Sequence, residues 1–125
     1  MEKIHTEKAP AAIGPYSQAW GFDRLVFTSG QIPVDPATGA LDGDTIAAQA
    51  HRSCKNVLAV LEAAGSDARH VLKTTCYLAD MKDFSAFNEV YAGYFTAAPA
   101  RSCVAVKALP KGALCEIEAI AVVAE

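Results

Sequence analysis

The stretch LCEIEAIAVV, residues 114–123, decides the fold, because both sides of the strand that it predicts carry apolar residues. Side chains alternate along a strand, so one face carries Cys115, Ile117, Ala119, Ala121 and Val123. The other face begins with Glu116 and Glu118 and continues with Ile120 and Val122. A strand that is apolar on both sides needs a covering layer on each of them.

Outward from this strand, the hydrophobic pattern predicts elements in the order β, α, β, α, β, β. The strands are expected at residues 25–29, 71–78, 100–107 and 114–123, and one or two more could precede residue 25. The first helix begins at Asp44 or Thr45 and ends at Gly65, which follows an apolar stripe at spacings of three and four. Asp83 is expected to cap the second helix, whose stripe is Phe84, Phe87, Tyr91 and Tyr94.

Two helices and a mixed sheet predict an α+β fold in one domain, residues 1–125, with both helices packed on one face of the sheet. The second face of the last strand is then too apolar to be left in water. We expect another subunit to cover it, and terminal segments folded over this face are the alternative.

Composition excludes several classes of protein. The net charge of −3 and the pI of about 5.6 argue against a protein that binds nucleic acid through a basic surface. The four cysteines form no C-x-x-C and lie away from the histidines, which argues against a metal site. The charged start of the chain is unlike a signal peptide, and no apolar run could span a bilayer. We therefore expect a cytoplasmic protein with no membrane partner.

Arg101 stands at the start of the apolar stretch PARSCVAV, residues 99–106. Arginine keeps its charge under all ordinary conditions, so it needs a partner there. If this strand forms a hairpin with the last one, one register places Arg101 and Cys103 beside Glu116 and Glu118, and the other places them beside Cys115 and Ile117. Arg101 is thus either half of an internal ion pair or a receptor for an external carboxylate.

Four motifs, in the order in which they occur here, resemble those of the reactive intermediate deaminase family, RidA, formerly called YjgF. They are APAAIGPYSQA (residues 9–19), FTSGQIPVDPATG (27–39), PARSCVAV (99–106) and CEIEAIAV (115–122). The resemblance implies a chorismate-mutase-like fold assembled as a homotrimer, with active sites in clefts between subunits.

The resemblance also implies a reaction. Members of the family hydrolyse short-lived enamine and imine acids, such as 2-aminoacrylate and 2-iminobutanoate, to 2-oxo acids and ammonia. No organic cofactor or metal is implied, because the imine carbon is already electrophilic and needs mainly a well-placed water.

The family's functional positions fall on seven residues of this chain. Arg101 would hold the substrate carboxylate through two parallel hydrogen bonds, Glu116 would place the water, and Ser29 would complete the catalytic set. Substrate-binding positions fall on Tyr16, Gly30, Asn88 and Cys103. Without the resemblance, Tyr16 would be interpreted as a turn residue and Ser29 as a cap at a strand end. Asn88 would then be a solvent-facing or capping residue of the second helix. Cys103 is expected to line the cleft and not to act as a nucleophile.

Two rival functions remain open from the sequence. A non-catalytic trimer that binds 2-oxo acids as a regulator would use Arg101 equally well. A chorismate mutase on the same fold would need several cations in one cleft, whereas only Arg101 of the four arginines lies in a site motif. The link TAA, residues 96–98, is shorter than is common in the family and should border the cleft.

Overall fold

Six strands and two α-helices are present in the computed structural model, which describes residues 1–124. The helices are α1 (Ile46–Ala63) and α2 (Phe84–Tyr94). The strands are β1 (Glu2–Ile4), β2 (Ala19–Phe22), β3 (Leu25–Thr28), β4 (Val71–Leu78), β5 (Ala100–Ala105) and β6 (Cys115–Val122). The predicted order of elements is therefore confirmed, together with two strands that precede Leu25.

The strands form one mixed sheet in the order β1-β2-β3-β6-β4-β5. β6 lies between β3 and β4 and is antiparallel to both. β5 lies at the edge and runs parallel to β4, because α2 carries the chain back across the sheet before β5 begins. The predicted hairpin of β5 with β6 is therefore wrong: β6, apolar on both faces, takes the interior position instead.

Local signals define the ends of α1. Its first turn is capped by Thr45, whose Oγ1 accepts a hydrogen bond from the backbone N–H of Ala48 at 3.2 Å. It ends before Gly65, which adopts the left-handed conformation with φ of 84°. Asp83 occupies the N-cap position of α2 but makes no capping hydrogen bond with its side chain. Asp80 caps the short 3₁₀ turn that leads into α2, by accepting from the N–H of Lys82.

Both helices pack on one face of the sheet, as expected, and the core lies between them and that face. The buried side chains of β6 point into it, and α1 contributes a stripe of fully buried residues. These buried positions include Ala50, Cys54, Val57, Leu61, Phe87, Cys115, Ile117, Ala119 and Ala121. The sheet is therefore covered on one side by its own chain.

The other side, called here the open face, carries large exposed apolar side chains. Trp20, Phe22 and Phe27 are 41%, 58% and 43% exposed. The N-terminal segment extends the sheet as edge strand β1 and leaves these side chains uncovered, so among residues 1–124 no terminal segment supplies the missing layer. In the same part of the chain, no helix is both long and apolar enough to cross a membrane.

Candidate functional site

Arg101 lies on edge strand β5, next to Thr74 of β4, and its side chain faces the helix side of the sheet. Its Nη1 donates a hydrogen bond to Oδ1 of Asn88 at 2.7 Å. The guanidinium carbon stands 4.8 Å from the ring centre of Tyr91 and 5.6 Å from that of Phe84. Because α2 provides all three contacts, Arg101 is held on a platform of one amide and two aromatic rings.

No carboxylate lies within ion-pair distance of Arg101 among residues 1–124. An internal pair of Arg101 with Glu116 or Glu118 is therefore wrong for a single chain. The physical reason is the strand order, since β4 separates β5 from β6. In addition, Arg101 and Cys103 share a face with Thr74 and Cys76, whereas the two glutamates lie on the open face.

Glu116 projects from β6 onto the open face, where its neighbour in the β4 register is Tyr77. Its carboxylate lies directly over Gly30, so that a β-carbon at that position would overlap the carboxylate. Partial burial raises the pKa of Glu116 above its ordinary value, and the negative charge of Glu118 raises it further. A carboxylate with a raised pKa is suited to exchange protons with water.

A cleft of about 410 Å³ opens beside Glu116, and it contains several of the residues expected in the site. Ser29 Oγ donates to the carbonyl of Ser17 at 2.5 Å, which ties the end of β3 to the segment before β2. The Tyr16 hydroxyl accepts from the N–H of Ile13 at 3.5 Å. The residues that line the cleft are Ile13, Tyr16, Ser29, Gly30, Ile32, Pro110 and Glu116.

A second cavity, of about 370 Å³, lies against Arg101. Asn88 and Tyr91 form one wall, and Thr96 and Ala98 belong to the lining, so the short link does border this cavity. Ala98 adopts a left-handed conformation with φ of 52°, which turns the chain sharply before Pro99 and β5. Small side chains on the link leave the space beside the guanidinium open.

Cys103 lies two residues along β5 from Arg101, on the same face and directly beside Cys76. Partial burial raises the pKa of the Cys103 thiol, and the charge of Arg101 opposes that shift without cancelling it. Since the thiolate is the nucleophilic form, Cys103 is poorly activated at neutral pH.

The predicted site residues therefore fall into two groups on opposite faces of the sheet. We call Asn88, Arg101 and Cys103 the arginine half-site, and Tyr16, Ser29, Gly30 and Glu116 the glutamate half-site. Within one chain the two half-sites do not meet.

Sequence reasoning missed two residues beside these half-sites. Tyr91 was interpreted only as a core position, although its spacing of three from Asn88 places both on one side of a helix. Tyr77 was not singled out. Its hydroxyl donates to Glu118 Oε1. The available signal was the alternation of side chains along β4, which places Tyr77 on the same face as Thr75.

Comparison with known proteins identifies the family of the chain. The family model described as endoribonuclease L-PSP matches residues 6–123. A 2-iminobutanoate/2-iminopropanoate deaminase of Salmonella typhimurium is 52% identical over 123 residues, which cover 95% of each protein.

Solved structures show the same fold. The YjgF gene product of E. coli superposes with a TM-score of 0.93 at 48% identity, covering 98% of each chain. E. coli TdcF with bound serine superposes with a TM-score of 0.94 at 45% identity, covering 99% of this chain and 100% of that one. The resemblance inferred from the four motifs is thereby confirmed, and the chain belongs to the endoribonuclease L-PSP family, which includes the RidA (YjgF) proteins.

Proposed function

We propose that this protein is a 2-iminobutanoate/2-iminopropanoate deaminase, which hydrolyses enamine and imine acids to 2-oxo acids and ammonia. The observation that carries the proposal is Arg101, a partly buried guanidinium held by neutral groups and without a carboxylate partner within residues 1–124. Such a cation is prepared to accept a carboxylate from outside through two parallel hydrogen bonds. The relative named as a deaminase and the TdcF structure with bound serine support a small carboxylate-bearing ligand.

The active protein in this proposal is a chorismate-mutase-like homotrimer, with each site formed between two subunits. The arginine half-site of one subunit would face the glutamate half-site of the next, because one chain keeps them on opposite faces. The exposed side chains of Trp20, Phe22 and Phe27 support burial of the open face against neighbouring copies. Each copy, a single domain of residues 1–125, thus contributes to two sites.

In the reaction, the substrate carboxylate binds Arg101, and Asn88 fixes the guanidinium that receives it. Glu116 takes a proton from a water as the water's oxygen bonds to the imine carbon C2. With the imine nitrogen protonated, this addition gives a carbinolamine. Glu116 returns its proton to the nitrogen and then takes up the hydroxyl proton as the carbon–oxygen double bond forms, so that the C–N bond breaks and ammonia leaves with a 2-oxo acid. An enamine enters the same route after protonation at C3.

Tyr16, Ser29, Gly30 and Cys103 would complete the cleft around this small substrate. Gly30 leaves room for the Glu116 carboxylate, and Tyr16 with the neighbouring apolar side chains would exclude bulk water. The chemistry needs neither a metal nor an organic cofactor. The four free thiols fit a reducing, cytoplasmic setting.

The test is an assay with 2-iminobutanoate generated freshly by an amino acid oxidase, in which 2-oxobutanoate formation is followed against the rate without protein. The proposal expects acceleration that is lost in the Arg101→Ala variant. Binding of 2-oxobutanoate without any acceleration would instead indicate a non-catalytic binding protein. Cleavage of RNA without imine hydrolysis would replace the proposal with the activity in the family's description, which the net charge of −3 disfavours.

A further inference from the structure

A tyrosine and a second carboxylate lie beside Glu116 on the open face. Glu116 and Glu118 are two positions apart on β6, so their side chains leave the same face about 7 Å apart. Tyr77 is the register partner of Glu116, yet its hydroxyl reaches diagonally to Oε1 of Glu118 at 2.5 Å. Glu118 is therefore held in place by a residue that stands next to Glu116.

The other groups that face this pair from neighbouring elements are few. β4 contributes Lys73, whose Nζ donates to Thr75 Oγ1 at 2.9 Å. β5 places only the uncharged Ala100, Ser102 and Val104 on the open face, and the segment after β3 contributes the neutral Ser29 and Gly30. Near the cleft, the Lys111 ammonium donates to the carbonyl of Gly39. Within residues 1–124, no cation lies within 4 Å of Glu116 or Glu118.

We propose that Tyr77 is a positioning residue: its hydroxyl holds the Glu118 carboxylate beside Glu116, and this second negative charge assists Glu116 in taking a proton from the attacking water. The inference rests on the proposed function for the catalytic role of Glu116. The arrangement of Tyr77 and Glu118 is independent of it.

A second negative charge beside Glu116 would offset the effect of Arg101 from the neighbouring subunit. In the proposed trimer the neighbouring subunit would bring a guanidinium to the same cleft, and a nearby cation lowers the pKa of a carboxyl. Burial and Glu118 both raise the pKa of Glu116 and thus oppose this effect. The hydrogen bond from Tyr77 holds the Glu118 carboxylate in the position from which its charge acts on Glu116. Tyr77 thereby acts on Glu116 through Glu118.

The experiment measures the pH dependence of kcat/KM and, separately, the titration of Glu116 by ¹³C NMR in protein labelled at the glutamate carboxyl carbon. The Glu116→Gln variant assigns the resonance. We compare the wild type with Tyr77→Phe, Glu118→Gln and the double variant. Tyr94→Phe is the matched control, because it removes a tyrosine hydroxyl that is hydrogen-bonded to His51 away from the open face.

Glu118→Gln is expected to shift two curves to lower pH: the acid limb of the pH profile of kcat/KM, and the NMR titration of Glu116. Tyr77→Phe should move both in the same direction by a smaller amount, and the double variant should match Glu118→Gln, since Tyr77 acts through Glu118. Tyr94→Phe should move neither.

Lowered melting temperatures in Tyr77→Phe and Glu118→Gln, with both the acid limb and the titration unmoved, would overturn the inference and make the pair merely structural. If the titration shifts as expected but the wild type hydrolyses no imine, the coupling stands and the proposed function fails. Tyr77→Phe removes only a hydroxyl, so it keeps the inference testable if Glu118→Gln does not fold.

Discussion

Arg101 and Glu116 lie on opposite faces of the same sheet, with β4 between the strands that carry them. Backbone hydrogen bonds fix β5, β4 and β6 in register, so side-chain motion within one chain cannot bring the two charges together. Any reaction that uses both residues on one small substrate therefore needs two copies of the chain.

Arg101→Ala should fold and should lower kcat/KM for 2-iminobutanoate by at least about 100-fold, because two charge-assisted hydrogen bonds of about 1.5–3 kcal/mol each are lost. The melting temperature should change little, since only the neutral Asn88 loses a hydrogen-bond partner. Arg101→Lys should recover little, because an ammonium lacks the planar two-point grip. Arg52→Ala, which breaks the partly buried pair with Asp42, is the control and should retain activity. A collapse in stability with activity retained would make Arg101 structural.

Mixed trimers should restore activity that neither parent variant has. When Arg101→Ala and Glu116→Gln chains are coexpressed in equal amounts, about a quarter of the sites should combine an intact arginine with an intact glutamate from different subunits. Single-variant preparations, assayed at the same total concentration, set the baseline. If coexpressed chains form mixed trimers by mass spectrometry but show no gain over that baseline, the shared site is excluded.

Cys103→Ala should fold and keep most of its imine hydrolysis, because burial raises the pKa of the thiol and the reaction needs no covalent intermediate. The measurements are kcat/KM and the intact mass of wild-type protein quenched during turnover. A mass increase that maps to Cys103 and disappears on substrate depletion would contradict this prediction.

Gly30→Ala should abolish most activity with a smaller effect on stability. The new β-carbon would occupy the space of the Glu116 carboxylate, which has to rotate away from the cleft. Gly93→Ala is the matched control, since a β-carbon there meets nothing within 4 Å and alanine is favoured over glycine in a helix by about 1 kcal/mol. Activity and melting temperature of both variants are compared, and an active Gly30→Ala protein would show that Glu116 need not stay where it lies.

Glu116→Gln should be more stable than the wild type at neutral pH, while losing activity. Burial and Glu118 raise the pKa of Glu116 in the folded chain, so folding favours its protonated form. Its ionisation then costs stability as the pH rises through the folded pKa, and this cost is absent below the unfolded value of about 4.3. The advantage of Glu116→Gln should therefore vanish near pH 4 in thermal melts. The exposed Glu62→Gln substitution is the control. A Glu116→Gln variant that is less stable than the wild type at pH 7 would contradict this prediction.

Local features of the sequence predict most elements of the fold. Thr45 and Gly65 mark the ends of α1 through short-range hydrogen bonding and backbone conformation, so they can be identified without tertiary structure. The alternation in β6 likewise identifies its two faces. Asp83 was expected to cap α2 with its side chain, but it makes no capping hydrogen bond. Asp80, three residues earlier, instead caps the turn that leads into α2.

Strand pairing could not be predicted in the same way. β5 and β6 are neighbours in sequence, yet each pairs with β4, because the gap between β3 and β4 can be filled only by a strand that is apolar on the helix side. The motifs identify both Arg101 and Glu116 as candidate site residues, but the relative placement of the two depends on the long-range pairing of β5 and β6 with β4.

The interior position of β6 has a consequence for synthesis of the protein. β3 can pair with β2 early, and β4 gains β5 only after α2 has been made. The facing edges of β3 and β4 remain unpaired until β6, which follows β4 by more than thirty residues, has emerged from the ribosome. A nascent chain that has produced both helices still exposes one edge of β3, both edges of β4 and an uncovered apolar core. Completion of the sheet is therefore a late, long-range event, and the interval before it is when the chain is most exposed to misassembly and most in need of chaperones.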